Sequence, residues 1–194
     1  MPRMTACAVL LLTLLGGRSA RAQHSPRLAQ APELGAELIL GDDLTSLAGV
    51  FLTRFGRQTD IRFGAGAADP DDSDTDGFVR TGLRAFVSPR SRSLPFDVAV
   101  EGQLDVFFGQ DNTVSLRGGP SFGRTGGREG ALVAYAQPLF LYMHEVGQSD
   151  VKLGVRVGAD YRMGRTADLR GDLLLSSAME LRAALYLRPG ELLK

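Results

Sequence analysis

The clearest pattern in the chain is an alternation of apolar and polar residues with a period of two. From Phe96 to Phe108 every even position is apolar or glycine, and the odd positions are polar or small except Phe107. Residues Asp150 to Met163 repeat the pattern with the phase reversed. Because successive side chains of a β-strand point to opposite faces, each segment predicts a strand with one apolar and one polar face.

Eight further segments alternate in the same way or form apolar runs between turn residues. They are Leu34–Leu40, Leu47–Phe55, Thr59–Ala67, Phe78–Val87, Thr113–Phe122, Leu132–Met143, Ala167–Leu175 and Met179–Leu187. Short polar pieces, among them Gly56–Gln58 and Gly123–Gly130, read as the turns between them. The fold predicted is all-β, an antiparallel up-and-down barrel of about ten strands, with eight as the main alternative. Residues Leu173–Leu187 also fit an amphipathic helix, which leaves the last hairpin open at this stage.

The first 22 residues have a different character. Arg3 precedes an apolar run over residues 6–15, and Ala20-Arg21-Ala22 has the small-x-small form of a signal cleavage site. The run is shorter than the ~20 residues that a membrane-spanning helix needs. We therefore predict a secretory signal peptide cleaved after Ala22, with a buried N-terminal helix as the alternative. The one cysteine, Cys7, falls in this segment, so the mature protein is expected to have no thiol chemistry.

The expected organisation follows from these boundaries. A signal peptide covers residues 1–22, and a leader without periodicity covers residues 23–32. The β-barrel domain covers residues 33–189, and residues 190–194 form a short C-terminal tail. Twenty-four glycines and nine prolines suit many short strands joined by turns.

The polar faces of the predicted strands carry charges of both signs. Strands of ten or more residues are long enough for a tilted crossing of the hydrocarbon layer, and unlike charges can then pair across a narrow lumen. The predicted lumen charge cluster consists of Arg80, Arg84, Asp97, Glu101, Asp105, Arg117, Arg156, Asp160, Arg170, Asp172, Glu180 and Arg182. Because side chains fill the interior of a barrel with eight to ten strands, we expect a plugged lumen rather than an open pore.

Two stretches carry a family resemblance. Leu153–Arg162 (LGVRVGADYR) and Glu180–Arg188 (ELRAALYLR), together with the signal peptide, resemble the small outer-membrane β-barrel proteins of diderm bacteria. The resemblance covers residues 33–188. It implies a transmembrane barrel in the cell outer membrane, with outer-membrane lipid and the outer-membrane assembly machinery as partners. The chain departs from that pattern in having no tryptophan and in continuing after the last strand as Pro189–Lys194.

Candidates for catalysis or metal binding are few. His144 ends a predicted strand near Ser149, which is the pair that a lipid-modifying hydrolase at the barrel rim would use. The acidic stretch Asp69–Asp76 lacks the ligand spacing of an EF-hand, and the glycines of residues 123–130 are not followed by the Lys-Ser/Thr of a phosphate loop. We expect no catalytic residue, no metal and no cofactor. Equal numbers of basic and acidic residues, 22 each, give no electrostatic case for a nucleic acid partner.

The function predicted is that of a small, non-catalytic integral outer-membrane barrel. It would act structurally or in surface interaction, with at most a narrow pore, and its oligomeric state stays open. One alternative is a soluble periplasmic barrel that holds an apolar ligand inside. The other is a lipid-modifying outer-membrane enzyme that uses His144 and Ser149.

Overall fold

The computed structural model describes residues 29, 31–42, 44–70, 75–109, 112–126, 131–145 and 147–192. The predicted signal peptide, most of the leader and the centre of the acidic stretch lie outside these residues. Ten strands are followed by one short helix, α1. The strands are β1 Glu33–Gly41, β2 Leu44–Arg54, β3 Thr59–Pro70, β4 Asp76–Ser88, β5 Asp97–Phe108, β6 Thr113–Gly126, β7 Leu132–Glu145, β8 Gln148–Met163, β9 Ala167–Leu175 and β10 Met179–Leu187, and α1 is Pro189–Leu192.

Each strand pairs in antiparallel fashion with the next one in the chain, and β1 pairs with β10 to close the sheet. The prediction of an up-and-down barrel is therefore confirmed with ten strands, and the eight-stranded alternative is wrong. The helix considered for Leu173–Leu187 is also wrong. Met179 pairs with Leu175, and the hairpin β9–β10 alternates its side chains between the two faces of the barrel wall. Within the described residues, no helix is long and apolar enough to cross a membrane.

Several strands extend beyond the apolar pattern that predicted them. Residues 123–126, expected in a turn, continue β6 and pair with β7, and Gln148 and Ser149 already belong to β8. Strand pairing satisfies backbone groups whatever the side chain, so it continues into polar and glycine-rich ends where hydropathy gives no signal. The turn between β7 and β8 is tight, and Gly147 adopts φ 81° there, a left-handed conformation that favours glycine.

The barrel wall has its apolar face on the outside. On β5 and β8, for example, Val100, Leu104, Val155 and Val157 are exposed, whereas Glu101 and Arg156 on the opposite face are buried. A soluble barrel that encloses an apolar ligand requires the reverse arrangement. The fold is that of a transmembrane barrel, in which lipid covers the outer face and polar side chains fill the lumen.

The lumen also contains apolar side chains. Ala48, Val50 and Leu52 on β2 point inward, and Leu139 and Leu141 do so on β7. These two strands are apolar on both faces over part of their length, which explains why their sequences alternate poorly. The interior thus combines apolar packing with charged groups.

Tyr186 packs over Gly35 on the neighbouring strand. A Cβ on Gly35 would lie 2.6 Å from the Tyr186 ring. The same ring lies 3.8 Å below the Arg170 guanidinium, and the Tyr186 hydroxyl donates a hydrogen bond to Glu37. Glycine at position 35 therefore makes room for an aromatic side chain that links β10 to β1 and β9.

The substitution Gly35→Ala is expected to lower the free energy of unfolding by about 1–3 kcal/mol, because the Tyr186 ring must move away from its partners. The measurement is urea unfolding of the protein refolded in lipid vesicles, followed by circular dichroism. Gly102→Ala is the matched control, since a Cβ there has no heavy atom within 4 Å. Equal losses for the two variants would contradict the structural role of the Gly35–Tyr186 contact.

Candidate functional site

The candidate site is the charged lumen. All twelve residues of the predicted lumen charge cluster lie on the inward face of their strands. Eleven are buried, whereas the side chain of Glu180 is 24 % exposed. The buried ones are Arg80, Arg84, Asp97, Glu101, Asp105, Arg117, Arg156, Asp160, Arg170, Asp172 and Arg182.

One group of ion pairs is centred on Asp105, which is fully buried. Its carboxylate accepts hydrogen bonds from Arg80 Nε at 2.6 Å and from an Arg117 guanidinium nitrogen at 2.8 Å. The side-chain amide of Gln103 donates to both oxygens of Asp105, at 3.0 and 2.9 Å. A single carboxylate is therefore shared by two arginines from β4 and β6, the strands on either side of β5.

The charges continue from Arg80 toward β1. A guanidinium nitrogen of Arg80 lies 3.0 Å from a carboxylate oxygen of Glu37, which also pairs with Arg62 on β3. On the other side, Arg117 reaches Glu180 on β10 at 3.4 Å. Positive and negative groups alternate along this series of contacts, so Arg62, Arg80 and Arg117 each have a carboxylate partner.

A second group of ion pairs lies where the barrel closes. Arg170 on β9 and Arg188 just after β10 both pair with Glu33 on β1, and both also contact Asp168. Asp160 lies 3.9 Å from Arg170. These contacts tie the first strand to the last two strands from inside the barrel.

The remaining charges form smaller contacts. Asp60 on β3 pairs with Arg84. Its carboxylate also accepts a hydrogen bond of 2.8 Å from the backbone N–H of Ala29. Ala29 is buried, although it belongs to the predicted leader. Asp172 lies 3.4 Å from Arg156 and accepts a hydrogen bond from Tyr135. The Tyr135–Asp172 hydrogen bond joins β7 to β9, which are not neighbours in the sheet, whereas the two ion pairs join adjacent strands.

Sequence reasoning left several lumen charges out of the cluster. They are Glu33, Glu37, Asp60, Arg62, Asp168 and Arg188. The missing signal was strand register, which places opposite charges directly across from each other, as in Asp60↔Arg84, Arg80↔Asp105 and Arg182↔Asp172. Cross-strand pairs of this kind stabilise a sheet. A known register would therefore have placed Asp60 in the predicted lumen charge cluster, because Asp60 lies directly opposite Arg84.

The arrangement suits packing better than metal binding. In the described residues, no group of three or more His, Cys, Asp or Glu side chains is placed to hold a metal ion. The central residues of the acidic stretch, 71–74, lie outside the described part of the chain. The expectation that this loop binds no metal ion therefore stays a prediction.

The structure brings His144 and Ser149 together at the β7–β8 turn. The distance from His144 Nδ1 to Ser149 Oγ is 2.9 Å, and the Tyr142 hydroxyl lies 3.2 Å from the same oxygen. Both contacts are exposed. Glu145 and Asp150 belong to the opposite face of their strands by alternation, so neither flanking acid is on the side of the histidine.

Comparison with known proteins gives similarity only at the level of solved structures. No family model and no curated protein matches the chain. A KdgM porin in complex with disordered oligogalacturonate is 11 % identical, with a TM-score of 0.43 over 80 % of this chain and 98 % of that one. The β-domain of the Bordetella autotransporter BrkA is 12 % identical, with a TM-score of 0.49 over 81 % and 98 %. The translocator domain of the autotransporter NalP from Neisseria meningitidis is 10 % identical, with a TM-score of 0.47 over 96 % and 95 %. Likeness at these values carries no conclusion about activity.

Proposed function

We propose that this chain is a small integral protein of the bacterial outer membrane, a non-catalytic barrel whose lumen is closed by ion pairs. Its role is structural or lies in surface interaction. The observation that carries the proposal is the inverted polarity of the wall, with leucine, valine and phenylalanine side chains outside and paired charges inside. Such a surface requires a hydrocarbon environment, because water would face a continuous apolar belt.

Strand length supports the membrane placement. The shortest strands, β1, β9 and β10, have 9 residues, and the longest, β8, has 16. A tilted crossing of the bilayer needs about 9–11 residues. Closure of the sheet also leaves no unpaired edge inside the hydrocarbon layer. The partners implied are outer-membrane lipid and the machinery that inserts such barrels.

The closed lumen is supported by the packing of its largest side chains. Arg156, Gln137 and Tyr186 are each at most 1 % exposed, and Arg156 donates a hydrogen bond of 2.9 Å to Gln137. A hydrated channel would leave such groups accessible to water. We therefore expect at most a narrow path for ions.

In planar bilayers, the wild-type protein is expected to give no large, stable conductance steps, because its interior charges are paired. The double variant Arg156→Ala/Gln137→Ala removes two long side chains from the lumen and is expected to raise the conductance. Lys152→Ala is the matched control, since Lys152 lies in an exposed ion pair with Asp150 near the β7–β8 turn. Porin-like steps from the wild-type protein would contradict the closed lumen.

Absence of catalysis is part of the same proposal. The exposed contact between His144 and Ser149 is the observation that favours a lipid hydrolase instead. We expect purified protein to release no fatty acid from phospholipid vesicles, and the variant His144→Ala to behave identically. Hydrolysis by the wild-type protein that is lost in His144→Ala would replace the structural role with an enzymatic one.

A further inference from the structure

Exposed charges are separated between the two ends of the barrel. We call the end at which β1 begins and β10 ends the terminal end, and the β2–β3, β4–β5, β6–β7 and β8–β9 turns lie there too. Among the described residues, every exposed arginine lies at this end: Arg54, Arg57, Arg90, Arg92, Arg124 and Arg165. The exposed acids among the same described residues lie only at the opposite end, and they are Asp42, Asp69, Glu145 and Asp150. The two ends of the barrel therefore present opposite charges to their surroundings.

The six exposed arginines are spread around the whole terminal end. They lie in its four turns or at the strand end beside a turn: Arg54 and Arg57 at β2–β3, Arg90 and Arg92 at β4–β5, Arg124 at β6–β7, and Arg165 at β8–β9. We call these six side chains the arginine rim. Positive charge thus occurs at every turn of this end, and a ligand can approach it from any side of the barrel.

The acids of the terminal end are turned away from the arginine rim. Asp97 is buried, and its carboxylate accepts a hydrogen bond of 2.9 Å from the backbone N–H of Arg90, which leaves the Arg90 side chain outside. Arg54 Nε donates a hydrogen bond of 3.1 Å to the carbonyl of Gly56 within the β2–β3 turn. Within the described residues, no ion pair joins the arginine rim to a carboxylate. The positive charge of the rim is therefore available to an anion outside the protein.

Apolar side chains lie next to the arginine rim. By alternation, Arg124 is the next outward-facing residue of β6 after Phe122, so it lies on the outer wall where the apolar belt ends. Phe55 and Val87, beside the β2–β3 and β4–β5 turns, are 64 % and 58 % exposed. A long arginine side chain can lie along apolar surface and extend its guanidinium toward water. A surface that mixes arginine with exposed apolar side chains fits a ligand that has both an acyl chain and a charged head group.

We propose that the arginine rim binds the head groups of anionic phospholipids in the membrane leaflet that surrounds the terminal end. The inference rests on the proposed membrane placement, which puts the ends of the strands at the level of the head groups. Guanidinium groups donate paired hydrogen bonds to phosphate oxygens, and each basic residue near a membrane surface adds to the attraction for anionic lipid. A zwitterionic head group cancels its phosphate charge, so the rim distinguishes anionic from zwitterionic lipid.

The test uses tryptophan fluorescence, because the chain has no tryptophan of its own. Phe55→Trp reports on the arginine rim, and Phe108→Trp is the matched position at the opposite end, where Phe108 is 53 % exposed. Each variant is refolded in phosphatidylcholine vesicles with the same small fraction of phosphatidylglycerol in both leaflets, so the direction of insertion does not affect the result. An equal amount of one lipid or the other carries bromine, a short-range quencher, on the upper part of its acyl chain.

Brominated phosphatidylglycerol is expected to quench Phe55→Trp more strongly than brominated phosphatidylcholine does. One basic residue near a membrane surface corresponds to about a fivefold enrichment of anionic lipid. At Phe108→Trp, whose end of the barrel carries the exposed acids, we expect no such preference. Raising the salt concentration to about 1 M, where the Debye length is about 3 Å, is expected to weaken the preference at Phe55→Trp.

Charge substitutions supply the second arm. In the background Arg54→Gln/Arg57→Gln, the preference of Phe55→Trp for brominated phosphatidylglycerol is expected to disappear, and glutamine at position 54 can still donate a hydrogen bond to the turn. The background Arg54→Lys/Arg57→Lys keeps the charge and is expected to keep the preference. A preference that survives the glutamine substitutions would overturn the proposal, because the arginine charge would then not be its source.

Two further measurements separate the possible failures. The gel mobility shift on heating identifies folded variants, and Val87→Trp with Arg90→Gln/Arg92→Gln repeats the comparison at the β4–β5 turn if the first set fails to fold. Absence of quenching by either brominated lipid at both Phe55→Trp and Phe108→Trp would refute the membrane placement and the lipid site together. Equal quenching by the two lipids at Phe55→Trp would refute the lipid site alone.

Discussion

Replacing Asp105 by alanine is expected to lower the free energy of unfolding by about 3–5 kcal/mol, the range for breaking a buried ion pair by removing one partner. Asp105 is fully buried and is the common acceptor for Arg80 and Arg117. Its removal leaves two arginines inside the barrel with one fewer counter-charge. Uncompensated charge in a water-poor interior is the cause of the loss.

Urea unfolding in vesicles, followed by circular dichroism and by the unheated gel mobility, measures the effect. The control is Asp150→Ala, which removes an acid from an exposed ion pair with Lys152 at 3.3 Å. Exposed pairs of this kind contribute less than about 1 kcal/mol, so the control is expected to stay close to the wild type. Equal stability of the Asp105→Ala and wild-type proteins would show that the lumen charges are hydrated rather than paired.

Replacing Val155 by arginine is expected to cost about 2–4 kcal/mol or to block assembly, because the position faces the middle of the hydrocarbon layer. Val155 is 45 % exposed on the outer face of β8. In water such a valine would accept a charged residue at little cost. The sign and size of the effect therefore depend on what surrounds the barrel.

The comparison is with Val151→Arg on the same face of β8, close to the β7–β8 turn. Arginine near the membrane interface costs only about 0–1 kcal/mol. Folding yield in vesicles and unfolding in urea are measured for both variants. A neutral effect of arginine at both positions would contradict a lipid-facing Val155.

Alternation predicted much of this structure because lipid and lumen impose opposite demands on consecutive residues. It identified ten strands and the outward face of β5 and β8. It failed where both faces are apolar, as with Val50 and Leu139 pointing inward, and where polar strand ends continue the ladder, as at residues 123–126. The hydropathy of a residue indicates whether its side chain faces an apolar or a polar environment. It carries no information about which backbone N–H and C=O groups pair.

The contacts of the lumen required information that a single strand does not contain. Glu37 reaches Arg80, 43 residues away, and Arg170 reaches Glu33, 137 residues away. Such pairs depend on closure of the barrel and on the register of every intervening hairpin. The register between Gly118↔Phe140 and Phe122↔Ala136 also places Pro120 opposite Pro138, which the sequence did not predict, because each proline alone indicates only a weakened strand.

The most direct test of the account is cell fractionation of the expressed protein, followed by gel electrophoresis with and without heating. A closed, lipid-embedded barrel is predicted to appear in the outer-membrane fraction, to resist carbonate extraction and to change mobility only after boiling. Recovery as a soluble periplasmic protein with no heat-dependent shift would contradict the membrane placement on which the proposed function rests.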